Sequence, residues 1–134
     1  MIHRAVAVFL FAFGLACLAQ AVRSETLTPE QIVVIDGDTI DVAGKRWRLM
    51  GFDTPETYYA RCAAEMERGK SAQLRLIVMI AEAKRIELEP SGRNDRYRRG
   101  LGVLRIDGVD VAETMIKDGH ARPYHGQRRE GWCE

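Results

Sequence analysis

The segment QIVVIDGDTIDVAGKRWRLMGF, residues 31–52, has the composition of several short β-strands. Three runs in it are rich in β-branched and aromatic residues and are separated by Asp-Gly and Ala-Gly pairs, which favour turns. The runs are residues 31–35, 39–42 and 45–52. In the third run Trp47 and Leu49 alternate with two arginines, the period of two that is typical of a half-buried strand. The segment therefore predicts three consecutive strands.

Beyond Pro55 the hydrophobic spacing changes to a helical period. Met66, Leu74 and Ile77 recur on one face of a helix predicted over residues 63–83, in which Gly69 permits close contact with a neighbour. The remaining predicted elements are strands at 85–89 and 101–106, a turn at 90–92 and a short helix at 111–117. Five strands with an inserted helix predict an α+β domain, namely a five-stranded OB-fold β-barrel with about two helices on it.

The first 21 residues have the layout of a secretory signal peptide. They contain Arg4, an apolar run of about 14 residues and an Ala-Gln-Ala cleavage site. The run is shorter than the ~20 residues of a spanning helix, although an uncleaved anchor and lipidation at Cys17 remain alternatives. The expected organisation is a signal peptide at 1–21, a flexible arm at 22–30 and the folded domain at 31–134. We expect a secreted or periplasmic monomer without stable membrane association after cleavage.

Three cysteines are present, and one of them leaves with the signal peptide. In an oxidising compartment the remaining pair, Cys62 and Cys133, favours a disulfide over a metal site or a catalytic thiol. Such a bond would close a loop of about 70 residues and stabilise the fold by roughly 4 kcal/mol on chain-entropy grounds. Two free thiols are the alternative.

The charge balance gives no support for a nucleic-acid partner. Cleavage after residue 21 leaves 19 basic and 19 acidic side chains. Seven arginines nevertheless fall into two clusters: Arg93, Arg96, Arg98 and Arg99, then Arg122, Arg128 and Arg129. Such clusters are more often solvated surface than a nucleic-acid interface, so they are weak support on their own.

Three short motifs combine acidic residues and arginines. They are Asp36-Gly37-Asp38-Thr39, then Arg48 with Asp53-Thr54-Pro55-Glu56, and Asp95-Arg96-Tyr97-Arg98-Arg99-Gly100. Each has a structural explanation: an Asp-Gly turn, a helix cap at Thr54 with Pro55 after it, or solvent-facing arginines. Together they supply oxygen ligands suited to Ca²⁺ and guanidinium groups suited to a phosphate. The combination favours phosphodiester chemistry.

The order and approximate spacing of these motifs, with Ile35 before the first and Thr57 after the second, resemble the staphylococcal nuclease (thermonuclease) family. The resemblance extends over residues 33–124. It implies an OB-fold enzyme that uses Ca²⁺ to hydrolyse DNA and RNA, with single-stranded nucleic acid as substrate, and that leaves 3′-phosphates.

The resemblance also implies which residues bind the cation. Asp38 and Asp53 would be Ca²⁺ ligands, and the backbone carbonyl of Thr54 would be a third. Asp36 would contact these ligands rather than the metal itself, and residues in that position orient the groups that bind the ion.

The resemblance implies roles in catalysis for the remaining motif residues. Glu56 would act as, or position, the general base for the attacking water. Arg48 and Arg99 would hold the scissile phosphate and stabilise its transition state. Tyr97 would help bind the terminal phosphate, and Arg96 would contact the substrate.

Two departures from the family and two other functions bear on this interpretation. Family members continue into a C-terminal helix, and here the expected disulfide would take over its stabilising role. In addition, Tyr124-His125 only loosely match the tyrosines that stack a base.

A non-catalytic OB module that binds nucleic acid or protein is the main alternative function. A phosphodiesterase acting on an extracellular nucleotide is another. The complete set of acidic and arginine positions favours a nuclease.

Overall fold

The computed structural model describes residues 23–133, so the signal peptide expected at residues 1–21 lies outside the described residues. Within this range there are nine strands, two α-helices and a 3₁₀ turn at Pro29–Gln31, and no helix is long and apolar enough to cross a membrane. The strands are β1 (Glu25–Leu27), β2 (Ile32–Asp36), β3 (Thr39–Val42), β4 (Lys45–Leu49), β5 (Gly51–Asp53), β6 (Ile86–Asn94), β7 (Gly100–Ile106), β8 (Val109–Asp110) and β9 (Arg122–Tyr124); the helices are α1 (Ala63–Glu82) and α2 (Val111–Lys117).

The main sheet follows the strand order β1-β6-β7-β4-β3-β2, and β8 pairs with β7. β4 and β7 run parallel, whereas the other neighbours are antiparallel. β5 and β9 form a separate two-stranded sheet. The main sheet curls into half a barrel, and with the two helices it confirms the predicted α+β, OB-type fold.

Apolar side chains from the sheet and both helices fill one core. The largest fully buried ones are Phe52, Ile40, Leu49, Leu76, Ile86, Leu88, Leu104 and Met115. Burying each contributes about 1.5–3 kcal/mol relative to exposure. Trp47 and Leu49 belong to this core, as their alternation predicts, but Arg48 between them is also buried, at 9% exposed. A buried arginine on β4 requires charged partners, and these partners lie at the candidate site.

Helix α1 lies directly against the loop that follows β5. Its N-cap is Cys62, whose Sγ accepts a hydrogen bond from the Glu65 amide at 3.4 Å. A Cβ built on Gly69 would lie 2.9 Å from the carbonyl oxygen of Pro55 and closer still to the carbonyl of Glu56. Gly69 therefore lets the loop backbone touch the helix, which confirms the predicted reason for this glycine.

The expected flexible arm, residues 22–30, includes an ordered edge strand. β1 pairs with β6, with Leu27 opposite Ile86, and Leu27 is 4% exposed. A segment whose polar composition suggests a loop is thus fixed by strand pairing and one buried leucine.

The predicted turn at residues 90–92 is wrong. β6 continues through Pro90 to Asn94, with an irregular register against β7 between these two residues. Proline is tolerated at such a bulge because the ladder needs no N–H from it. The chain reverses instead at residues 95–99.

The predicted strand at 45–52 is interrupted at Met50. Short additional strands make the count in residues 23–133 nine rather than five.

Candidate active site

Arg48 lies between two buried carboxylates. Its Nη2 atom is 3.1 Å from Asp38 Oδ2 and 3.2 Å from Asp53 Oδ1. Asp38 lies in the turn between β2 and β3 and is 6% exposed, and Asp53 ends β5 and is 1% exposed. Breaking a buried ion pair by removing one partner typically costs about 3–5 kcal/mol, because a charge is left uncompensated. The three side chains therefore form one charge cluster built into the core.

The Asp38 carboxylate also joins two loops. Its Oδ2 accepts a hydrogen bond from the Thr54 amide at 3.0 Å, and its Oδ1 accepts one from the Thr39 hydroxyl at 2.9 Å. The Thr54 hydroxyl oxygen is buried and finds no hydrogen-bond partner within residues 23–133. A buried polar atom of this kind calls for an explanation such as an ion or water beside it. The cluster thus offers several oxygen atoms in a small, enclosed space.

The turn between β2 and β3 fits tightly against its neighbours. Asp36 accepts a hydrogen bond from the Thr57 hydroxyl, which fixes the loop after β5 from this side. A Cβ built on Gly37 would lie 2.8 Å from the side chains of both Ala72 and Thr54. Only glycine fits there, so this Asp-Gly pair does more than reverse the chain. Asp36 supports the loop on which the other acidic residues lie.

Glu56 has an arginine partner that sequence analysis missed. Arg129 Nη1 lies 2.9 Å from Glu56 Oε1, and Arg129 Nη2 lies 2.8 Å from Asp53 Oδ1. Burial raises the pKa of Glu56, and Arg129 opposes this rise. The Glu56 side chain is 26% exposed, more than that of Asp38 or Asp53. The sequence signals for Arg129 were its place in the second arginine cluster and its nearness to the cysteine of the predicted disulfide.

Glu65 is a second residue that sequence analysis missed. It is 5% exposed, and its carboxylate accepts hydrogen bonds from the amides of Glu56 at 3.4 Å and Arg61 at 2.7 Å. It also lies near Cys62 and Cys133, but these two sulfurs are joined in a disulfide with Cα atoms 5.9 Å apart. The disulfide confirms the predicted pairing and leaves no thiolate to bind a metal. Glu65 therefore holds the loop that carries Glu56.

Arg99 and Tyr97 come from the turn between β6 and β7. Asp95 shapes this turn, because its Oδ1 accepts hydrogen bonds from the amides of Tyr97 and Arg99 at 2.9 Å each. Its Oδ2 pairs with Arg99 Nε at 2.6 Å. Arg98, between them, has a left-handed φ of 67°. Within the described chain the terminal nitrogens of Arg99 have no carboxylate partner, so they are available to an anion.

Several of the predicted residues line an open cleft made of two parts that share Tyr97, Arg99 and Arg129. One part of it has a volume of about 710 Å³, within the usual range for ligand sites. The residues on this part include Arg48, Arg96, Tyr97, Arg99, Tyr124 and Arg129. The adjoining part is lined by Asp36, Glu56, Tyr58 and Tyr59, again with Tyr97, Arg99 and Arg129. The structure thus places both predicted arginines, Arg48 and Arg99, on the same cleft.

Three exposed tyrosines flank this cleft. Tyr58, Tyr59 and Tyr97 are 79%, 84% and 64% exposed. The ring centroid of a fourth, Tyr124, lies 5.7 Å from the guanidinium carbon of Arg48. Tyr58 and Tyr59 were not predicted from the sequence, although two adjacent aromatic residues directly after Thr57 are a usable signal. Aromatic rings beside arginines are the arrangement on which single-stranded bases stack.

Comparison with known proteins points to one family. Residues 46–131 match the family model described as "Staphylococcal nuclease homologue". The matched region includes Arg48, Asp53, Glu56, Arg99 and Arg129.

Three similar proteins illustrate the match. The chain is 37% identical over 95 residues to the succinoglycan biosynthesis protein ExoI of Rhizobium meliloti (strain 1021), covering 68% of this chain and 49% of that protein. It is 37% identical over 93 residues to endonuclease YncB of Bacillus subtilis (strain 168), covering 66% and 44%. It is 33% identical over 93 residues to the SPbeta prophage-derived endonuclease YokF of the same organism, covering 66% and 31%. The chain spans less than half the length of each of these relatives.

Proposed function

Because the chain belongs to the staphylococcal nuclease family, we propose that it is a nuclease that hydrolyses phosphodiester bonds of DNA or RNA. The observation that carries this proposal is the convergence of Asp38, Asp53 and Glu56 beside Arg48, with Arg99 on the same cleft. Two of the relatives are themselves named endonucleases. Carboxylates for a cation and two arginines for a phosphate are the groups that this reaction requires.

Calcium is the proposed cofactor, and the donor atoms suit it. Asp38 and Asp53 each place one carboxylate oxygen within 3.2 Å of a single cationic nitrogen of Arg48. The two oxygens are therefore close enough to contact one cation together. The two carboxylates and the Thr54 carbonyl would hold the ion, with Asp36 behind them; Ca²⁺ prefers such oxygen ligands. Bound there, the ion would supply a Lewis acid next to the phosphate.

Glu56 is proposed as the residue that accepts a proton from, or positions, the attacking water. Its burial raises its pKa, which brings a carboxylate closer to the range useful for a general base. It is also the most accessible of the three clustered carboxylates, so water and substrate can reach it.

Arg48 and Arg99 are proposed to hold the phosphate and to stabilise the added charge of its transition state. Guanidinium groups do this through paired hydrogen bonds. Arg96 and Tyr97 would contact the flanking nucleotide, and the Arg96 guanidinium carbon lies 4.8 Å from the Tyr97 ring centroid. Release of 3′-phosphates is part of the proposal, and sensitivity of the product ends to a 3′-phosphatase tests it.

The decisive experiment is digestion of single-stranded DNA by residues 22–134, with Ca²⁺ and with a chelator. Glu56→Gln and Arg99→Ala are the matched variants. The nuclease proposal expects Ca²⁺-dependent cleavage that is lost in both variants. DNA binding without cleavage by the folded wild type would instead support a non-catalytic OB-fold binding module. Cleavage of a dinucleotide but not of long DNA would indicate a nucleotide phosphodiesterase.

Export is proposed from residues 1–21. Mass spectrometry of the protein recovered from the periplasm or medium tests it. A chain that begins at residue 22 supports cleavage of a signal peptide, and a mass that includes residues 1–21 contradicts it. A mass increase for a lipid on Cys17 would support the lipoprotein alternative.

A further inference from the structure

The last described residues, 128–133, form an arm that has no regular secondary structure yet is held at several points. Cys133 is joined to Cys62 at the start of α1. Arg68 Nη1 donates a hydrogen bond to the Trp132 carbonyl at 3.3 Å. Arg122 of β9 donates one to the Gly131 carbonyl at 3.1 Å, and its guanidinium lies 3.8 Å from the Trp132 ring centroid. We call residues 128–133 the C-terminal arm.

The C-terminal arm reaches the carboxylate cluster through two side chains. Trp132 Nε1 donates a hydrogen bond to Asp53 Oδ2 at 3.3 Å. Arg129 bonds the other oxygen of Asp53 and also Glu56, at 2.8 Å and 2.9 Å. Both oxygens of this buried carboxylate are therefore contacted by the arm.

The contact is unlike an ordinary surface ion pair. Exposed ion pairs contribute little to the stability of a protein because water screens their charges. Here the Asp53 side chain is 1% exposed, and one guanidinium spans two carboxylates that are proposed to act in the reaction. Burial alone would lower the pKa of Arg129, but the charges of Asp53 and Glu56 raise it above its usual value. The arginine is thus strongly coupled to the cluster.

We propose that the C-terminal arm is part of the active site. The Cys62–Cys133 disulfide holds Arg129 in place, and Arg129 positions Glu56 beside Asp53. The role given to Glu56 rests on the proposed nuclease function. The arm would then connect the redox state of two cysteines to the geometry of the catalytic carboxylate. A change in this geometry would change the reaction rate, because small errors in the placement of catalytic groups lower the rate by large factors.

The first test compares kcat and KM of four proteins. They are the wild type, Arg129→Ala, the double variant Cys62→Ser/Cys133→Ser, and the combination of all three changes. Serine retains an oxygen that can cap α1, so the helix start is preserved. We expect Arg129→Ala and the double serine variant each to lower kcat by roughly 10- to 100-fold with KM within about twofold. The combination should be no slower than either, because both changes remove the same contact.

Two matched controls accompany this comparison. Arg105→Ala removes an arginine of β7 that pairs with Glu89 at 2.8 Å and does not line the cleft, and should leave kcat unchanged. Arg129→Lys keeps the charge but not the two-pronged geometry, and should recover part of the rate. Wild-type kcat in Arg129→Ala, or multiplicative losses in the combination, would overturn the inference while leaving the nuclease proposal intact.

The second test does not depend on cleavage. Arg129 places a positive charge on the oxygens that the proposed Ca²⁺ site uses, so removing it should tighten Ca²⁺ binding by roughly tenfold in calorimetry. A merely structural role would give unchanged or weaker binding, which would also overturn the inference. If the wild type does not cut nucleic acid, the nuclease proposal fails, and this measurement alone decides whether Arg129 acts on the cluster.

Discussion

The Asp38 carboxylate accepts a hydrogen bond from the backbone amide of Thr54 at 3.0 Å, although 16 residues separate the two in the chain. The same oxygen lies 3.1 Å from Arg48 Nη2. One atom therefore orders the loop after β5 and balances a buried charge. The Asp38 side chain therefore has both a structural role and a proposed catalytic role, and different substitutions test the two roles separately.

Asp38→Asn and Asp38→Ala should differ in stability. Asparagine still offers an oxygen to the Thr54 amide, whereas alanine leaves that buried donor without its acceptor, at a cost of roughly 1–3 kcal/mol. Both should weaken Ca²⁺ binding by roughly tenfold or more, because a charged ligand is lost. Urea unfolding and calorimetry measure the two effects. Equal destabilisation by both variants would show that the hydrogen bond is not what Asp38 contributes to folding.

The pH dependence of cleavage should follow Glu56. Its pKa lies above the ordinary 4.5 because of burial, and a base must be deprotonated to act. Activity should therefore fall as the pH drops through this raised value, with the midpoint of the acid limb above 4.5. Arg129→Ala removes the charge that opposes the rise, so its acid limb should move to higher pH. Profiles of kcat/KM at saturating Ca²⁺ measure this, and a limb that moves to lower pH would contradict it.

Tyr58→Ala and Tyr59→Ala should weaken the binding of single-stranded DNA. Loss of a base–aromatic stack costs roughly 1–3 kcal/mol per base, whereas Tyr59→Phe keeps the ring and should bind like the wild type. Fluorescence anisotropy in a Glu56→Gln background avoids cleavage during the measurement. Leu74→Ala, which removes an exposed side chain of α1, is the control. Affinity unchanged in both tyrosine variants would exclude stacking at this part of the cleft.

Gly69→Ala should destabilise the protein, contrary to the usual effect in a helix. Alanine normally gains about 0.5–1 kcal/mol over glycine there. Here its Cβ would press on the loop that carries Glu56, and overpacking of this kind costs roughly 1–3 kcal/mol. We also expect a lower kcat, since the loop must shift. Ser71→Ala, at an exposed position of the same helix, is the matched control in thermal unfolding. A stabilised, fully active Gly69→Ala would refute this account.

The parts of the fold that sequence predicts well are those with strong local patterns. The tight turn at Ala43-Gly44 has φ values of 49° and 79°, as expected of a two-residue hairpin connection, and helix α2 begins and ends where predicted. The β6–β7 turn was misplaced because Pro90 resembles a turn signal, while the residue that shapes the turn is Asp95. Long-range pairing therefore prevailed over local propensity there.

For the site, sequence identified the residues whose motifs are contiguous and missed those that act through tertiary contacts. Asp38, Asp53 and Glu56 lie in short motifs, and the structure places the first two beside Arg48 and the third beside Arg129. Arg129 reaches Asp53 from a position 76 residues later, in a stretch with no periodic pattern. Glu65 looks like an ordinary first-turn acidic residue of a helix, and only its burial distinguishes it.

The disulfide has a consequence for the covalent integrity of the molecule when a protease cuts it. Cys62 and Cys133 close a ring that includes Arg99 and Arg129, whereas Asp38, Asp53, Glu56 and Arg48 precede it. A single protease cut inside the ring, for example in the exposed residues 96–98, leaves both pieces joined by the sulfur bridge. The nicked protein would keep its carboxylates and Arg48 covalently linked to the piece that carries Arg99 and Arg129, and a reductant would remove that link.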